Sequence, residues 1–380
     1  MKILFVDNTG LVSAGAFHSM VALIERLRVR GVEACVALPS FADGMDVLKN
    51  KGIRCFRFWP CSFSWMINRS SSRIEYLKMP LKNVVVFFGA LYLAFFCKKN
   101  HVTIIHENTS ACYIGYYAAK MAGIKHIWHV REFMEEDFNC EIWRKKRAFK
   151  FFSRSDAVIA VSQTLYKKYE GKINPHFFEM IYNGIDADAF FNPQRILFRE
   201  DEVRILCVGR VSPAKGQMCL IEAVEILKKR GINIKVHLVG LAEGDYCDKV
   251  KTIVRSLQLE NSVLFEGQQN DVLKFYNSCD IFCMCSRAEA FGRVTVEAML
   301  SGCLVIGSAS GGTAEIVQND VTGMLFAPED AKDLANKIMY ALKNKDRMRI
   351  VAKEGQAYAY RNFKSEKNAE QIYNLYTRLV

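Results

Sequence analysis

The sequence has no C-x2-C pair, no G-x-G-x-x-G run and no G-K-[ST] step. The first absence removes the usual zinc-ribbon spacing. The second removes the dinucleotide fingerprint, and the third the phosphate loop of ATPases. Only 7 of 380 residues are proline, and no low-complexity tract interrupts the chain, so a disordered or collagenous scaffold is excluded. Apolar runs are short as well. The longest, residues 84–97, falls below the roughly 20 residues that a bilayer span needs. The start, MKILFVDNTG, reads as a buried first strand and not as a signal peptide.

What is present is the balance of a folding chain, 51% hydrophobic and 24% charged, long enough for two domains. The 13 cysteines are odd in number and scattered. Cys283 and Cys285 lie in an apolar run and read as buried thiols, which points to a reducing, cytoplasmic compartment. Charge is uneven. Residues 1–190 hold 26 Lys and Arg against 17 Asp and Glu, while residues 191–380 hold 26 against 23. The first half is therefore expected to meet something anionic. No nucleic-acid recognition motif accompanies that charge, so nucleic acid is set aside. An anionic membrane surface suits it better. Lys82 and Lys98-Lys99 bracket the apolar run, and Arg69, Arg73, Lys78, Phe63 and Trp65 lie nearby. The run reads either as a core helix packed on a sheet or as a segment partly inserted into a membrane face.

Short apolar runs alternate with helix-length segments throughout, the pattern of parallel sheets with crossover helices. Strands are expected at 3–7, 34–38, 53–58, 102–106, 126–130, 157–161 and 180–182. A second series follows at 204–208, 235–239, 262–265, 281–285 and 304–307. Helices are expected at 215–230, 292–301, 330–343 and 366–380. The organisation is an α/β pair of doubly wound domains, 1–185 and 203–362, joined by a polar linker at 186–202. In such sheets ligands sit at the carboxyl ends of strands.

Three strand-end segments carry candidate chemistry. Asp7 to Ala16 is a glycine turn leading into a helix, a generic anion site. Gly209-Arg210-Val211-Ser212-Pro213-Ala214-Lys215-Gly216 places two cations before a helix, against the macrodipole, and a bound anion would resolve that conflict. Cys285 to Met299 carries Glu289 in a loop and Glu297 inside a helix, at most about 12 Å apart. Two carboxylates so placed suit the two hydroxyl-rich ends of a nucleotide-sugar. They are equally compatible with a helix cap and an i,i+4 pair of Arg293 with Glu297.

The stretch EAFGRVTVEAM resembles the signature of retaining glycosyltransferases of family 4, and GRVSPAKGQ, VIAVS, IYNGID, GCLVIGSASGGTAEIV and DVTGMLFAPED continue the resemblance in the family's order. The resemblance implies a GT-B fold, two Rossmann-like domains facing an interdomain cleft, with a last helix at 363–380 returning to the first domain. It implies that Arg210 and Lys215 hold a donor diphosphate, that Glu297 bonds the ribose, and that Glu289 meets donor-sugar hydroxyls beside the backbone of Phe291 and Gly292. His129 corresponds to a donor-sugar histidine, and Gly311, Gly312 and Glu315 to a turn near the sugar. Gly15 corresponds to a glycine loop, with Ala14 where the family usually has a second glycine. The implied activity is transfer from a UDP- or GDP-sugar to a saccharide in the synthesis of lipopolysaccharide or capsule, and the basic, apolar first half points to a lipid-linked acceptor and a peripheral membrane enzyme. No acidic D-x-D motif is read as holding a divalent ion, and Arg210 with Lys215 could serve in its place, so neither a metal nor another cofactor is expected. A nucleotide-sugar epimerase, a phosphorylase on the same fold and an inactive sugar-nucleotide scaffold are the alternatives.

Overall fold

The computed structural model describes every residue except Ser71 and Asp201, and the side chains of all but Arg73, Asp137 and Phe138 among the rest. The chain forms two compact units. Met1–Gly184 with Ser365–Val380 make the first, and Ile185–Lys364 the second.

The first unit is built on a seven-stranded parallel sheet. Its strands are β1 (Lys2–Val6), β2 (Glu33–Leu38), β3 (Arg54–Arg57), β5 (Ile104–Glu107), β6 (Lys125–Val130), β8 (Ala157–Ala160) and β9 (Phe177–Met180), in the order β3-β2-β1-β5-β6-β8-β9. A small antiparallel pair, β4 (Met66–Asn68) and β7 (Cys140–Ile142), stands apart from it. Ile3, Phe5, Ile104, Ile127 and Ile159 fill the core. Continuous apolar strands of this kind are what a sheet covered on both faces requires. The C-terminal helix Ser365–Leu379 belongs to this unit. It buries Ala369, Ile372, Leu375, Tyr376 and Leu379 in the same core as Met20, Ile24 and Leu27 of the helix Gly15–Val29. Each buried leucine or isoleucine there contributes roughly 1.5–3 kcal/mol.

The second unit carries a six-stranded parallel sheet in the order β12-β11-β10-β13-β14-β15. These are β10 (Val203–Val208), β11 (Ile234–Val239), β12 (Val263–Gly267), β13 (Ile281–Met284), β14 (Leu304–Ser308) and β15 (Met324–Phe326). In both sheets the first strand in sequence lies third in order, so each chain segment crosses to the other side of it at a switch point.

Several expectations shift. The strand expected at 180–182 is Phe177–Met180, and β4, β7 and β15 are too short for periodicity to show. The helix Lys345–Asn362 also went unread, because it follows its predecessor Ala331–Lys343 with a single residue, Asn344, between them. The polar linker at 186–202 is part of the second unit. It forms a helical turn, Ala187–Phe190, and sinks Leu197 and Phe198 into the core. The helix around 84–97 runs from Arg73 to Lys99, 27 residues, nearly twice the apolar run. Trp65, expected near a membrane face, is buried and stacks on Tyr113 and Trp128. All 13 cysteines are free thiols, and burial pushes those of Cys283 and Cys285 up.

Candidate active site

Within the second unit, three strand-end loops meet around Glu289. The first follows β10. Its chain turns at Gly209, makes a short 3-10 helix, Pro213–Lys215, and reaches the helix Gln217–Lys229 through Gly216 in the left-handed region, φ 65°. A Cβ on Gly216 would lie 2.1 Å from the carbonyl oxygen of Cys285, so only glycine lets this loop sit against the segment after β13. The amide of Arg287 donates to the carbonyl of Ala214 at 3.0 Å, fastening the two loops together. Gln217, buried, ties the first loop internally. Its Nε2 donates to the Arg210 carbonyl at 2.9 Å and its Oε1 accepts from the Ser212 amide at 3.3 Å.

The two cations then differ. Lys215 Nζ pairs with Glu289 Oε2 at 2.7 Å. The guanidinium of Arg210 is exposed and forms no ion pair among the described residues. An ammonium has three donors, so Lys215 can bond an incoming oxygen while holding Glu289.

The third loop follows β14. Gly311, at φ 50°, would put a Cβ 2.5 Å from the Glu289 carbonyl oxygen, and Gly312 would put one 2.5 Å from that of Phe291. The Gly312 amide donates to the Glu289 carbonyl at 2.6 Å. The expected neighbours Glu289, Phe291, Gly311 and Gly312 are therefore in backbone contact, with Glu315 in the short helix Gly311–Ile316. Gly292, left-handed at φ 94°, caps the helix Arg293–Leu300. One turn inside that helix, the hydroxyl of Thr295 is buried without a partner among the described residues, a feature that spacing alone did not mark.

Glu297 is nearly buried, and two donors orient it. Tyr276 Oη donates to Oε2 at 3.1 Å, and Arg293 donates to Oε1 at 3.1 Å. Burial foremost, and the adjoining carboxylate after it, push the Tyr276 phenol well up, so it stays a donor. An ionised carboxylate has about four lone-pair sites. Two remain for a diol. The i,i+4 pair of Arg293 with Glu297 is thus real, and it orients the carboxylate.

The first unit holds Gly15 and His129. Gly15 opens the helix Gly15–Val29 and is exposed. Carboxylates hold three amides of the loop before it. Asp7 Oδ1 accepts from Thr9 at 2.9 Å and Gly10 at 3.3 Å, and Asp43 Oδ1 accepts from Val12 at 2.7 Å. Asp7 and Asp43 thus hold three amides of the turn where an anion site is expected.

His129, on β6, is fully buried in a polar cluster whose members come from distant parts of the chain. Tyr376 Oη lies 2.6 Å from His106 Nδ1, and His106 Nε2 lies 3.0 Å from His129 Nδ1. Arg131 Nη2 is 3.2 Å from the same His129 Nδ1. Burial, more than the Arg131 charge, holds both rings well below the usual histidine range, so they are neutral. A guanidinium only donates. His129 Nδ1 is then the acceptor and Nε2 carries the proton. His106 donates from Nε2 and accepts the Tyr376 hydroxyl at Nδ1. The end of this relay, His129 Nε2, is buried with no partner among the described residues. An unmet buried donor costs about 1–3 kcal/mol, a cost that a hydroxyl of a bound ligand would offset. Arg131 is held by Asn108 through Nε, at 3.0 Å to Oδ1, and by Asn183 through Nη1. Sequence reading missed this support, because Tyr376 and His106 are 270 residues apart.

A D-x-D spacing is nonetheless present, at Asp186-Ala187-Asp188. It lies at the start of the turn Ala187–Phe190, where Asp188 Oδ1 accepts from Tyr360 Oη at 3.0 Å. Among the described residues no three His, Cys, Asp or Glu side chains form a cluster suited to a metal ion.

This arrangement of two switch-point sheets defines a known class. Anabaena Alr3699/HepE, solved in complex with UDP and glucose, superposes with a TM-score of 0.81 over 100% of both chains at 24% identity. The fold is GT-B. A sequence model of Glycosyltransferase Family 4 matches residues 14–189, and one of Glycosyl transferases group 1 matches residues 188–358. The chain belongs to the glycosyltransferase family that these two adjoining domains define. It is 27% identical over 230 residues to the N-acetyl-alpha-D-glucosaminyl L-malate synthase of Bacillus anthracis, 59% of this chain and 60% of that one. It is 30% identical over 231 residues to the lipopolysaccharide 1,2-N-acetylglucosaminetransferase of Salmonella typhimurium, 57% of this chain and 60% of that one. The matches thus span about 60% of the length of these curated relatives.

Proposed function

We propose that the protein is a retaining glycosyltransferase that moves a sugar from a nucleotide-diphosphate donor to a hydroxyl of a saccharide acceptor, lipid-linked, in the synthesis of a cell-surface polysaccharide. The observation that carries this reading is the loop cluster around Glu289, where Lys215 is paired with the carboxylate and Arg210 stands exposed on the same loop. Relatives that build lipopolysaccharide, and a structural neighbour that holds UDP and glucose, support it.

Cleaving the bond from the anomeric carbon to the diphosphate leaves new negative charge on the leaving oxygen and oxocarbenium character on the sugar. Arg210 and Lys215 meet the first need, as preorganised cations whose stabilisation grows as the charge develops. Glu289 and the backbone of Phe291 and Gly292 hold the sugar's hydroxyls, and Glu297 takes the ribose diol with its two remaining acceptor sites. His129 offers its Nε2 proton to a sugar hydroxyl. The acceptor hydroxyl attacks on the face that the diphosphate leaves and passes its proton to the departing diphosphate oxygen, which retains configuration. With two fixed cations at the diphosphate, the reaction proceeds without a divalent ion.

Thermal shift against UDP, GDP and their sugars tests the reading. The matching nucleotide at 100 times its dissociation constant stabilises by about 2.7 kcal/mol, and turnover of the matching sugar survives a chelator. If no nucleotide-sugar shifts the melting temperature, the donor role is wrong. Complete, metal-reversible loss of turnover with chelator would remove the metal-free step.

A further inference from the structure

The helix Arg73–Lys99 has two apolar faces where a surface helix ordinarily has one. Its inner face, with Val86, Ala90, Leu93 and Cys97, is buried, and Gly89 meets Pro60 and Ile114 there. The outer face is open. Leu77 is 78% exposed, Leu81 69%, Phe88 65% and Phe95 65%. With Val84 and Leu91 they follow at alternating spacings of four and three, which sets all six on one stripe. Only 33% of the helix's most apolar window is buried. Stripes of this size on a folded protein mark a surface that something covers.

Charge identifies what covers it. A protein partner wants a polar rim around an apolar centre, and here the flanks are Phe87 and Tyr92, with no charged residue anywhere from 83 to 97. Between 76 and 100 the chain has four lysines and no carboxylate. Lys98 and Lys99 are exposed at the helix end. Lys78 and Lys82 share the single carboxylate of Glu75, at 2.8 and 3.1 Å, so most of the free positive charge sits at the helix end. The side chain of Arg73 lies outside the described residues. Trp59, 53% exposed, stands in the turn Trp59–Ser62 against which this helix packs. An apolar stripe with an indole beside it and cations at its end matches the layering of a bilayer surface. The helix is long enough to cross a membrane, yet its inner face is already occupied by its own unit, so it lies along the surface.

We infer that this stripe docks the first unit onto an anionic lipid bilayer, by insertion of its leucine and phenylalanine side chains and by attraction of Lys98 and Lys99 to lipid phosphates. The inference deepens the reading of a lipid-linked acceptor, on which it rests for its biological sense, but its test needs neither donor nor acceptor.

The test is flotation of the full chain with vesicles of phosphatidylcholine, with and without phosphatidylglycerol, at low and high salt. The protein floats with the anionic vesicles at low salt and keeps a measurable bound fraction at high salt. Leu81→Glu with Phe88→Glu lowers its partition at least about ten-fold. Both positions are exposed, so the melting temperature should hold; if it falls, Phe88→Gln alone replaces the pair. Lys98→Glu with Lys99→Glu weakens binding to the anionic vesicles only. Wild type that never floats overturns the inference, as does a stripe variant that floats unchanged. Complete release at high salt would assign the binding to charge alone and overturn insertion. A dimer in the absence of lipid, made monomeric by the stripe variant, would make the face a contact between copies instead. Because no sugar is present, a failed donor assignment leaves these results standing, and the reverse holds too.

Discussion

Two strand-to-helix loops occupy the same topological place, after β1 and after β10, and they treat charge in opposite ways. In the first unit the carboxylates of Asp7 and Asp43 take three of the loop's amides, and Asn108 Nδ2 donates to the other Asp7 oxygen at 2.9 Å. In the second unit the loop has no carboxylate of its own, and a neutral glutamine braces it, while Arg210 is exposed and Lys215 pairs with Glu289 from the neighbouring loop. An incoming diphosphate would meet repulsion at the first loop and attraction at the second. Common topology therefore does not imply common ligand. The sign of a few side chains at the switch point decides which sheet binds an anion.

Breaking that contrast at its charged end should have the largest effect. Arg210→Ala or Lys215→Ala is expected to lower turnover on the order of 10²- to 10³-fold, by loss of a fixed cation at the leaving oxygen. Steady-state rates with the matched nucleotide-sugar measure it. A variant that keeps more than half of wild-type turnover would show that the second loop is not the anion site.

A smaller effect sharpens the contrast from the other side. The first unit's buried polar centre works through neutral groups, and its output is the proton on His129 Nε2. Tyr376→Phe removes the hydroxyl that His106 Nδ1 accepts, so the ring pair can exchange tautomers. We expect kcat to fall about ten-fold with KM little changed, since misorientation acts on the reacting complex. Nitrogen NMR supplies the structural readout. In wild type, Nε2 of His129 should carry its proton from about pH 8 to pH 5.5, across the range where a free histidine takes up charge near 6.5. The sign is fixed by burial. A histidine whose folded pKa is lowered stays neutral as pH falls, while the unfolded chain protonates, so stability is lost below about 6.5. A bare Nε2, or a ring that charges near pH 6.5, would dismantle the relay.

The smallest effect is expected at the first loop. Asp7→Asn should leave the donor dissociation constant unchanged and cost about 1–2 kcal/mol of stability, since it weakens amide contacts within the loop. Titration calorimetry and melting curves separate these outcomes. A change of donor affinity beyond about three-fold, roughly 0.65 kcal/mol, would mean that the first loop takes part in donor binding after all.

Much of the fold was legible because alternation of apolar strands and helix-length segments is a local property. Twelve of the expected strands correspond to observed ones, with β9 displaced by three residues at its start. The failures are instructive. Residues 186–202 look polar on average, yet two residues, Leu197 and Phe198, decide their fate by entering the core. The helix Arg73–Lys99 was read as too short because its first ten residues are mixed in character. In the fold they continue the helix and extend the exposed stripe.

The candidate site divides along the same line. Glu289, Glu297, Arg210 and Lys215 were marked by residue type and spacing, since two carboxylates and two cations in glycine-bounded loops after strands form a one-dimensional pattern. Sequence by itself determined that these groups exist at strand ends, that the domains are two, and that the first half is the more basic. Only the tertiary structure decided that Lys215 reaches Glu289, that Tyr276 orients Glu297, that Tyr376 sets the tautomer of His129 through His106, and that one face of an apolar helix stays uncovered. The physical reason is the range of the interactions. Periodicity and turn chemistry act over a few residues, whereas a hydrogen bond or a buried face depends on which distant segments the packing brings within about 3–4 Å of each other.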